Sequence, residues 1–293
     1  MKYKTQIFYV FLILGSIFFV TNFNNSAEDI NKNDNQEKIV TIGGSITEIV
    51  FGLGLGDLVI AVDQSSTIPS IVKDLPQVGY IRKISSEGVL SMMPSMVLTN
   101  TEIGPEIAVN EIKSSGINMK IYNAPKNLNE LKKNIIDIAN EFNANDNAAS
   151  LIASIEKTKM IIDQKIKSQN KKQNMVFIMN PSNSSYTVAG ANTTADFLIN
   201  VMGGNNIFSE NFSYYRNVNK EELIKSNPDV VLIATHYDST EAIQHFTNNV
   251  DFKNLNSVIN KNIIPMPLSN LTMGPSFIEN AYKNLLKINF NEW

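Results

Sequence analysis

Residues 147–169, NAASLIASIEKTKMIIDQKIKSQ, form the longest helical pattern in the chain. No glycine or proline occurs between residues 126 and 180, and both residue types interrupt helices. Spacings of three and four place an apolar stripe on one helix face, formed by Leu151, Ile155, Thr158, Ile162 and Ile166. The sequence therefore predicts one long helix in the middle of the chain, preceded by a shorter helix over 128–141.

Short apolar segments alternate with helical segments on both sides of this long helix. The predicted strands are 38–42, 58–62, 97–99, 119–122, 175–179, 230–234 and 263–264. The predicted helices are 47–55, 86–93, 107–115, 195–201, 221–225 and 275–287. Ser45 and Glu48 have the spacing of a capping box at the first helix. Alternating strands and helices favour parallel βαβ units over a sandwich.

This pattern predicts an α/β fold of two Rossmann-like lobes joined by a single rigid helix. We place the N-terminal lobe at 38–143, the linker helix at 144–172 and the C-terminal lobe at 173–293. A ligand is expected in the cleft between the lobes. The long helix should limit hinge opening, so we do not expect a large domain closure.

The start of the chain has the pattern of a secretory signal peptide. Lys2 and Lys4 precede an apolar run from Ile7 to Val20, and small residues follow at 25–27. The run is short for a membrane span, although an uncleaved anchor is the alternative. We predict a signal peptide over 1–27, a flexible lead-in over 28–37, and a soluble protein exported to the periplasm. The chain has no cysteine for a lipid anchor.

Composition excludes several classes of function. The net charge of −3 disfavours nucleic-acid binding, which needs a basic surface. The absence of cysteine excludes disulfides, zinc knuckles, iron–sulfur ligation and thiol catalysis. There is no nucleophile elbow, His-Glu-x-x-His motif or P-loop, so we predict that the protein is not an enzyme. A secreted hydrolase is the alternative of another class.

The two halves of the chain share a pattern at an offset of 134 residues. Tyr80, Arg82, Glu87 and Pro94 correspond to Tyr214, Arg216, Glu221 and Pro228. Each half thus carries Tyr-x-Arg, then a glutamate that opens a short helix, then a proline before a buried strand. The only two arginines of the chain occupy equivalent positions. Arginine offers planar, bidentate recognition of carboxylates that lysine does not, although a duplication with surface ion pairs is the alternative.

Several stretches resemble one known family. They are Gly43–Val50, the segment Leu75–Arg82 with its Val-Gly-Tyr-x-Arg sequence, Ser85–Leu90, Ala189–Asp196 and Gly203–Asn206. These residues resemble the heme-binding periplasmic proteins of heme ABC importers, the HmuT-like group. The resemblance extends from Ile39 to about Leu286. The architecture that it implies, a class III periplasmic binding protein, is shared with cobalamin-binding and ferric-siderophore-binding proteins, which are the alternative functions.

The resemblance implies that Tyr80 is the axial ligand of a ferric heme iron. Tyrosine is a known axial ligand of heme. Free tyrosine has a pKa near 10, and a nearby cation favours its ionised form. Arg82 could serve as that cation, or it could bind a heme propionate.

In the second lobe, the resemblance places Tyr214, Tyr215 and Arg216 around the other edge of the porphyrin. Some relatives carry a histidine after the first strand of this lobe, where this chain reads Asn180-Pro181-Ser182-Asn183. We therefore expect one heme, although the sequence leaves the number open. His236 follows a predicted strand and is a candidate pocket residue. For this position, a solvent-exposed or hydrogen-bonded loop histidine is favoured over a sixth iron ligand.

Glu87 and Glu221 resemble the carboxylate pair that docks such proteins onto the arginines of a membrane permease. The implied partners are heme, as a transported ligand, and the permease and ATPase of an ABC importer in the inner membrane. We expect the protein itself to be a monomer.

Overall fold

The computed structural model describes residues 37–169, 171–181, 185–235 and 239–290. The predicted signal peptide and all but the last residue of the predicted lead-in lie outside these residues. From Ile39 to the end, the chain forms one compact unit. In the described part of the chain, no helix has the length and apolar character needed to cross a bilayer.

The N-terminal lobe is built on a parallel sheet with the strand order β2-β1-β5-β6. Its strands are β1 (Ile39–Ile42), β2 (Val59–Val62), β5 (Met96–Asn100) and β6 (Asn118–Tyr122), and a separate hairpin joins β3 (Gly79–Tyr80) to β4 (Lys83–Ile84). The helices are α1 (Gly44–Gly52), α2 (Ser86–Ser91), α3 (Glu106–Ser114) and α4 (Leu128–Glu141). All four sheet strands are parallel, as the strand–helix alternation predicted.

The capping box predicted at Ser45 and Glu48 is wrong. Helix α1 begins at Gly44, and its N-cap is Gly43, with φ 101° and no side-chain cap. Glu48 is buried and its carboxylate instead accepts the Ser276 N–H at 3.0 Å. The spacing of Ser45 and Glu48 suits a capping box, but the Glu48 carboxylate binds the Ser276 N–H of the second lobe instead.

The long helix α5 extends over Asn145–Lys167, two residues earlier than predicted at each end. Ile155 and Ile162 of the predicted stripe are buried, and they belong to the main hydrophobic core. That core contains residues of both lobes, from Ile39 in β1 to Leu285 near the end of the chain. The lobes therefore share one apolar interior, and the limited hinge opening stays a prediction.

The C-terminal lobe has a mixed sheet with the order β10-β8-β7-β11-β12, and β9 pairs with β7. The strands are β7 (Asn174–Pro181), β8 (Ser185–Ala189), β9 (Asn205–Asn206), β10 (Tyr215–Asn219), β11 (Val230–Thr235) and β12 (Ile263–Pro267). The helices are α6 (Thr194–Val201), α7 (Lys220–Ser226), α8 (Ser239–Thr247), α9 (Asn256–Ile259) and α10 (Phe277–Leu285).

Strands β8 and β10 are antiparallel additions that the sequence analysis missed. In β8, the buried Tyr186 and Val188 alternate with the half-buried Ser185 and Thr187. This two-residue period is the signal that could have found it. The prediction of an α/β fold with two lobes joined by one long helix is confirmed. The exact lobe boundaries stay a prediction.

The sequence repeat has a structural counterpart in both lobes. Glu87 and Glu221 each lie in the first turn of a short helix, α2 or α7. At the other end of these helices, Met93 and Asn227 both have left-handed backbone, with φ 49° and φ 41°. Each precedes a proline and then a buried strand. Positions that are 134 residues apart in this repeat therefore share backbone geometry as well as the pattern of residue types.

Candidate ligand-binding site

Tyr80 lies on the β3–β4 hairpin of the first lobe. Its backbone pairs with Lys83, and its side chain is 45% exposed. The preceding Gly79 has φ 115°, and a Cβ there would lie 3.2 Å from the Lys83 carbonyl oxygen. Only glycine fits this conformation without strain. The hairpin therefore presents the Tyr80 side chain at the surface from a tightly constrained turn.

Arg82, two residues after Tyr80, forms an ion pair that the sequence analysis did not foresee. Its Nη2 donates to Oε1 of Glu102 at 2.9 Å, and both side chains are largely exposed. Glu102 lies just beyond the carboxyl end of β5. The predicted contact of Arg82 with the tyrosine oxygen or with a propionate stays a prediction, and Glu102 competes for the same guanidinium group.

Tyr215 is the first residue of β10 in the second lobe, and Tyr214 directly precedes it. Tyr214 has φ 66°, which is uncommon for a residue with a side chain, and it is 68% exposed. Two backbone hydrogen bonds hold this conformation, from Tyr214 N–H to the Ala191 carbonyl and from Gly190 N–H to the Tyr214 carbonyl, each 2.8 Å. The Tyr214 ring therefore projects from a fixed backbone.

Tyr215 is the first residue of β10. Its backbone pairs with Ala189, and burial of the phenol raises the pKa of Tyr215 to about 12. At neutral pH the phenol is therefore protonated. Tyr215 suits a hydrogen-bond donor better than an anionic metal ligand.

Arg216 is held by an aromatic stack. Its guanidinium carbon lies 4.9 Å from the centre of the Phe212 ring, and Phe212 stacks on the buried Phe208 at 5.8 Å. A cation above an aromatic face is attracted by the ring quadrupole. Within the described residues, no carboxylate forms an ion pair with Arg216. Its guanidinium group is therefore held against the Phe212 ring, and none of the carboxylates that the structure describes pairs with it.

The predicted site residues form two groups, one in each lobe. Tyr80 and Arg82 share a hairpin, and Tyr214, Tyr215 and Arg216 share the start of a strand. Between these groups, the part of the chain that the structure describes contains no hydrogen bond, ion pair or ring contact. The predicted pocket residue His236 lies outside the described residues. His245, to which the sequence analysis gave no role, contacts the Tyr186 hydroxyl at 3.1 Å, and burial lowers the pKa of His245.

Glu87 and Glu221 are both exposed and occupy matching positions in α2 and α7. The preceding N-cap side chains are Ser85, which accepts the Gly88 N–H at 3.0 Å, and Asn219, which accepts the Glu222 N–H at 2.8 Å. Negative charge is favourable at a helix N-terminus. The caps therefore fix both glutamates on well-formed first turns and leave their carboxylates in solvent.

The two lobes meet at Glu48. Its side chain is almost fully buried, and burial raises the pKa of Glu48 to about 7 despite the hydrogen bond from Ser276. A Cβ at Gly274 would lie 2.5 Å from the Glu48 carboxyl group, so the chain packs closely there. We call the contact of Glu48 with residues 274–276 the interlobe seam. It was absent from the sequence analysis, because a contact across 228 residues leaves no local pattern.

A cavity of about 360 Å³ lies beside the interlobe seam. It is lined by α1, α5, residues 68–69 and the start of α10, and Glu48 and Ser276 are among its walls. None of the seven predicted ligand or docking residues that the structure describes lines this cavity. It is thus a separate feature from the two Tyr-x-Arg groups.

Comparison with known proteins identifies the class. Residues 39–268 match the family described as periplasmic binding protein, so the chain belongs to that family. Its members bind solutes and are not enzymes, and the same holds for this chain. The protein is the substrate-binding component of an ABC importer. This component acts outside the cytoplasm.

Two of the sequence relatives are named for different ligands, vitamin B12 and heme. One is an uncharacterised ABC transporter substrate-binding lipoprotein of Bacillus subtilis, YvrC, which is 29% identical and covers 74% of this chain and 69% of its own length. A vitamin B12-binding protein of Vibrio parahaemolyticus is 24% identical, with coverages of 72% and 75%. The heme uptake protein IsdE of Staphylococcus aureus is 25% identical, with coverages of 81% and 80%.

The similar structures include several heme-binding proteins. The periplasmic heme-binding protein RhuT of Roseiflexus has a TM-score of 0.77 at 26% identity, and the match covers 86% of this chain and 97% of that one. HutB, the periplasmic heme-binding protein of Vibrio cholerae, has a TM-score of 0.76 at 26% identity, with coverages of 86% and 98%. The resemblance to the heme-binding members of the superfamily is therefore confirmed.

Proposed function

We propose that this protein binds one heme between its two lobes and delivers it to the permease of an ABC importer. The observation that carries this proposal is the exposed Tyr80 on its constrained hairpin. A phenolate oxygen is a hard anionic donor, which suits ferric iron, and tyrosine is an established axial ligand of heme. The heme-binding structural neighbours support the same ligand class.

The second lobe supplies complementary groups. Arg216 carries a charge that no described carboxylate neutralises, and Tyr215 has a protonated phenol. Both suit the two negatively charged propionates of heme, because charge-assisted hydrogen bonds from arginine to carboxylates are strong. In this proposal Tyr80 binds the iron from one side, while Tyr214, Tyr215 and Arg216 contact the porphyrin from the other lobe.

Delivery needs a permease, and the exposed pair Glu87 and Glu221 is the proposed docking site. The two carboxylates occupy equivalent helix starts in the two lobes. They would meet arginines on the permease and chiefly set orientation and association rate. In this proposal the protein is a monomer, and the predicted signal peptide directs its export to the periplasm.

Cobalamin is the second candidate ligand. The similarity to a vitamin B12-binding protein favours it over other solutes. Cobalamin carries its own cobalt ligands and does not need an anionic tyrosine, so the two candidates differ in their dependence on Tyr80.

The experiment is a titration of the purified protein with hemin and, separately, with cyanocobalamin. We expect hemin to give an intense Soret band and a tyrosinate charge-transfer band, and to raise the melting temperature. Tyr80→Phe should abolish the charge-transfer band, whereas the matched control Tyr282→Phe on α10 should keep it. Protection from thermal unfolding by cyanocobalamin but not by hemin would reject the heme proposal.

A further inference from the structure

Asp63 is a fully buried carboxylate at the carboxyl end of β2, outside every motif that the sequence analysis used. It accepts five hydrogen bonds. The donors to Oδ1 are Gly43 N–H at 2.8 Å and Ser66 Oγ at 2.7 Å. Those to Oδ2 are Ser65 N–H at 3.0 Å, Ser65 Oγ at 2.6 Å and Ile81 N–H at 3.1 Å. Charged acceptors make the stronger hydrogen bonds in proteins.

One of these donors belongs to the Tyr80 hairpin itself. Ile81 follows Tyr80 directly, so the bond from its N–H to Asp63 orients the peptide group that joins the two residues. The Ile81 carbonyl accepts the Gly104 N–H at 2.9 Å, and its buried side chain approaches Gly43, where a Cβ would lie 2.9 Å from Ile81 Cδ1. The N–H, the carbonyl and the side chain of Ile81 therefore each make a contact that restrains the residue.

The same carboxylate connects this hairpin to the interlobe seam. Ser66 Oγ lies 2.7 Å from Thr47 Oγ1 in α1, and Thr47 precedes Glu48. Through Ser65, whose Oγ accepts the Gly44 N–H at 3.3 Å, Asp63 also reaches the start of α1. One hydrogen-bond network thus extends from the Tyr80 hairpin to the helix that contacts the second lobe.

We propose that Asp63 is the positioning residue of the ligand site. It sets the direction of the Tyr80 side chain relative to the second lobe, through the Ile81 N–H and the start of α1. This inference rests on the proposed function, in which Tyr80 binds the ligand. A neutral asparagine cannot replace it, because an asparagine has one acceptor oxygen and its NH₂ group would face backbone donors. The residue acts through Tyr80 and does not touch the ligand.

The test compares Asp63→Asn with the matched control Asp229→Asn in the exported chain loaded with hemin. Asp229 is a carboxylate of the second lobe that also accepts a backbone N–H, that of Asn174 at 2.9 Å, and the Asn256 side chain at 3.0 Å. We expect both variants to lower the melting temperature. Only Asp63→Asn should shift the tyrosinate-to-iron charge-transfer band and weaken hemin binding, by about 10- to 100-fold, as losses of supporting residues do at metal sites.

Two further measurements make the outcome decisive. Ser65→Ala removes one hydroxyl donor and should shift the same band less, which tests the proposal if Asp63→Asn does not fold. Amide hydrogen exchange at Ile81 should accelerate in either variant without any ligand, and so tests the positioning role separately from heme binding. An unchanged band and hemin affinity in Asp63→Asn would overturn the inference. If the wild type fails to bind hemin while Ile81 exchange still responds, the proposed function fails and the anchoring of the hairpin stands.

Discussion

The two Tyr-x-Arg segments have the same sequence pattern, but the structure holds them in different ways. In the first lobe, Arg82 is paired with Glu102, and Tyr80 is half exposed on a hairpin. In the second lobe, Arg216 lies over an aromatic ring, and burial raises the pKa of the adjacent Tyr215 to about 12. A sequence repeat can therefore preserve the positions of residues while their neighbours in the fold change the chemistry of each copy. In the proposed site, the first lobe would supply the oxygen ligand, and the second would supply positive charge and a protonated hydrogen-bond donor.

The largest predicted effect concerns Glu48 at the interlobe seam, where the two lobes are in contact. Burial raises the pKa of Glu48 from its ordinary value of 4.5 to about 7. Folding therefore favours the protonated carboxyl, so its stabilisation is complete below pH 4.5 and is lost as the pH rises through 7. Over this range the wild type should lose about 3 kcal/mol of unfolding free energy that Glu48→Gln does not lose.

Urea unfolding at pH 5 and pH 8 measures this difference. Glu279→Gln is the control, since Glu279 lines the same cavity but is exposed and pairs with Lys283. It should follow the wild type at both pH values. An equal loss in Glu48→Gln and the wild type would contradict the assignment of the titration to Glu48.

The second prediction separates the two arginines. Arg216→Gln should weaken hemin binding by about 10- to 100-fold, since a hydrogen bond to a charged group contributes about 1.5–3 kcal/mol. Arg82→Gln should change it by less than about threefold, because exposed ion pairs contribute little and Glu102 already occupies Arg82. Hemin titration monitored at the Soret band measures both. Equal losses of hemin affinity in the two variants would show that both arginines contribute equally to binding, which would contradict the proposed difference between the lobes.

The third prediction tests where the lobes remain equivalent. Glu87→Gln combined with Glu221→Gln should slow heme uptake by cells about tenfold, because docking charges mainly govern association, and should leave hemin affinity unchanged. Each single variant should give a similar part of the effect. Glu222→Gln, a neighbouring exposed change in the same first turn, serves as the control. Uptake at the wild-type rate in the double variant would rule out this docking pair.

The smallest predicted effect concerns the left-handed residues after α2 and α7. Met93 carries a side chain that fits this backbone poorly, whereas Asn227 tolerates it and also accepts the Asn256 N–H at 3.0 Å. Met93→Asn should raise the free energy of unfolding by up to about 1 kcal/mol. Met93→Ala keeps the Cβ and should bring no such gain, as thermal denaturation of the three proteins would show. A gain of equal size in Met93→Ala would mean that removal of the exposed side chain, and not the backbone, is responsible.

Much of the fold could be predicted from the sequence because its signals are local. The range of α4 was predicted residue for residue, and α5 was displaced by only two positions, since apolar periodicity and the absence of glycine and proline both act over a few turns. The antiparallel strands β8 and β10 were missed, because their pairing joins residues about 30 positions apart. The capping box predicted at Ser45 and Glu48 was wrong for a similar reason, because the partner of Glu48 is distant in the sequence.

The linear chain already shows which residues are repeated in the two lobes: the tyrosines, the arginines, the helix-opening glutamates and the prolines before the buried strands. These are chemical identities at regular spacing, and a linear pattern carries them completely. The surroundings of each one follow from the folded molecule, such as Glu102 beside Arg82, Phe212 beside Arg216, and Asp63 bonded to the N–H of Ile81 next to Tyr80. Charge neutralisation, burial and orientation depend on neighbours distant in the chain, so they are properties of the folded molecule.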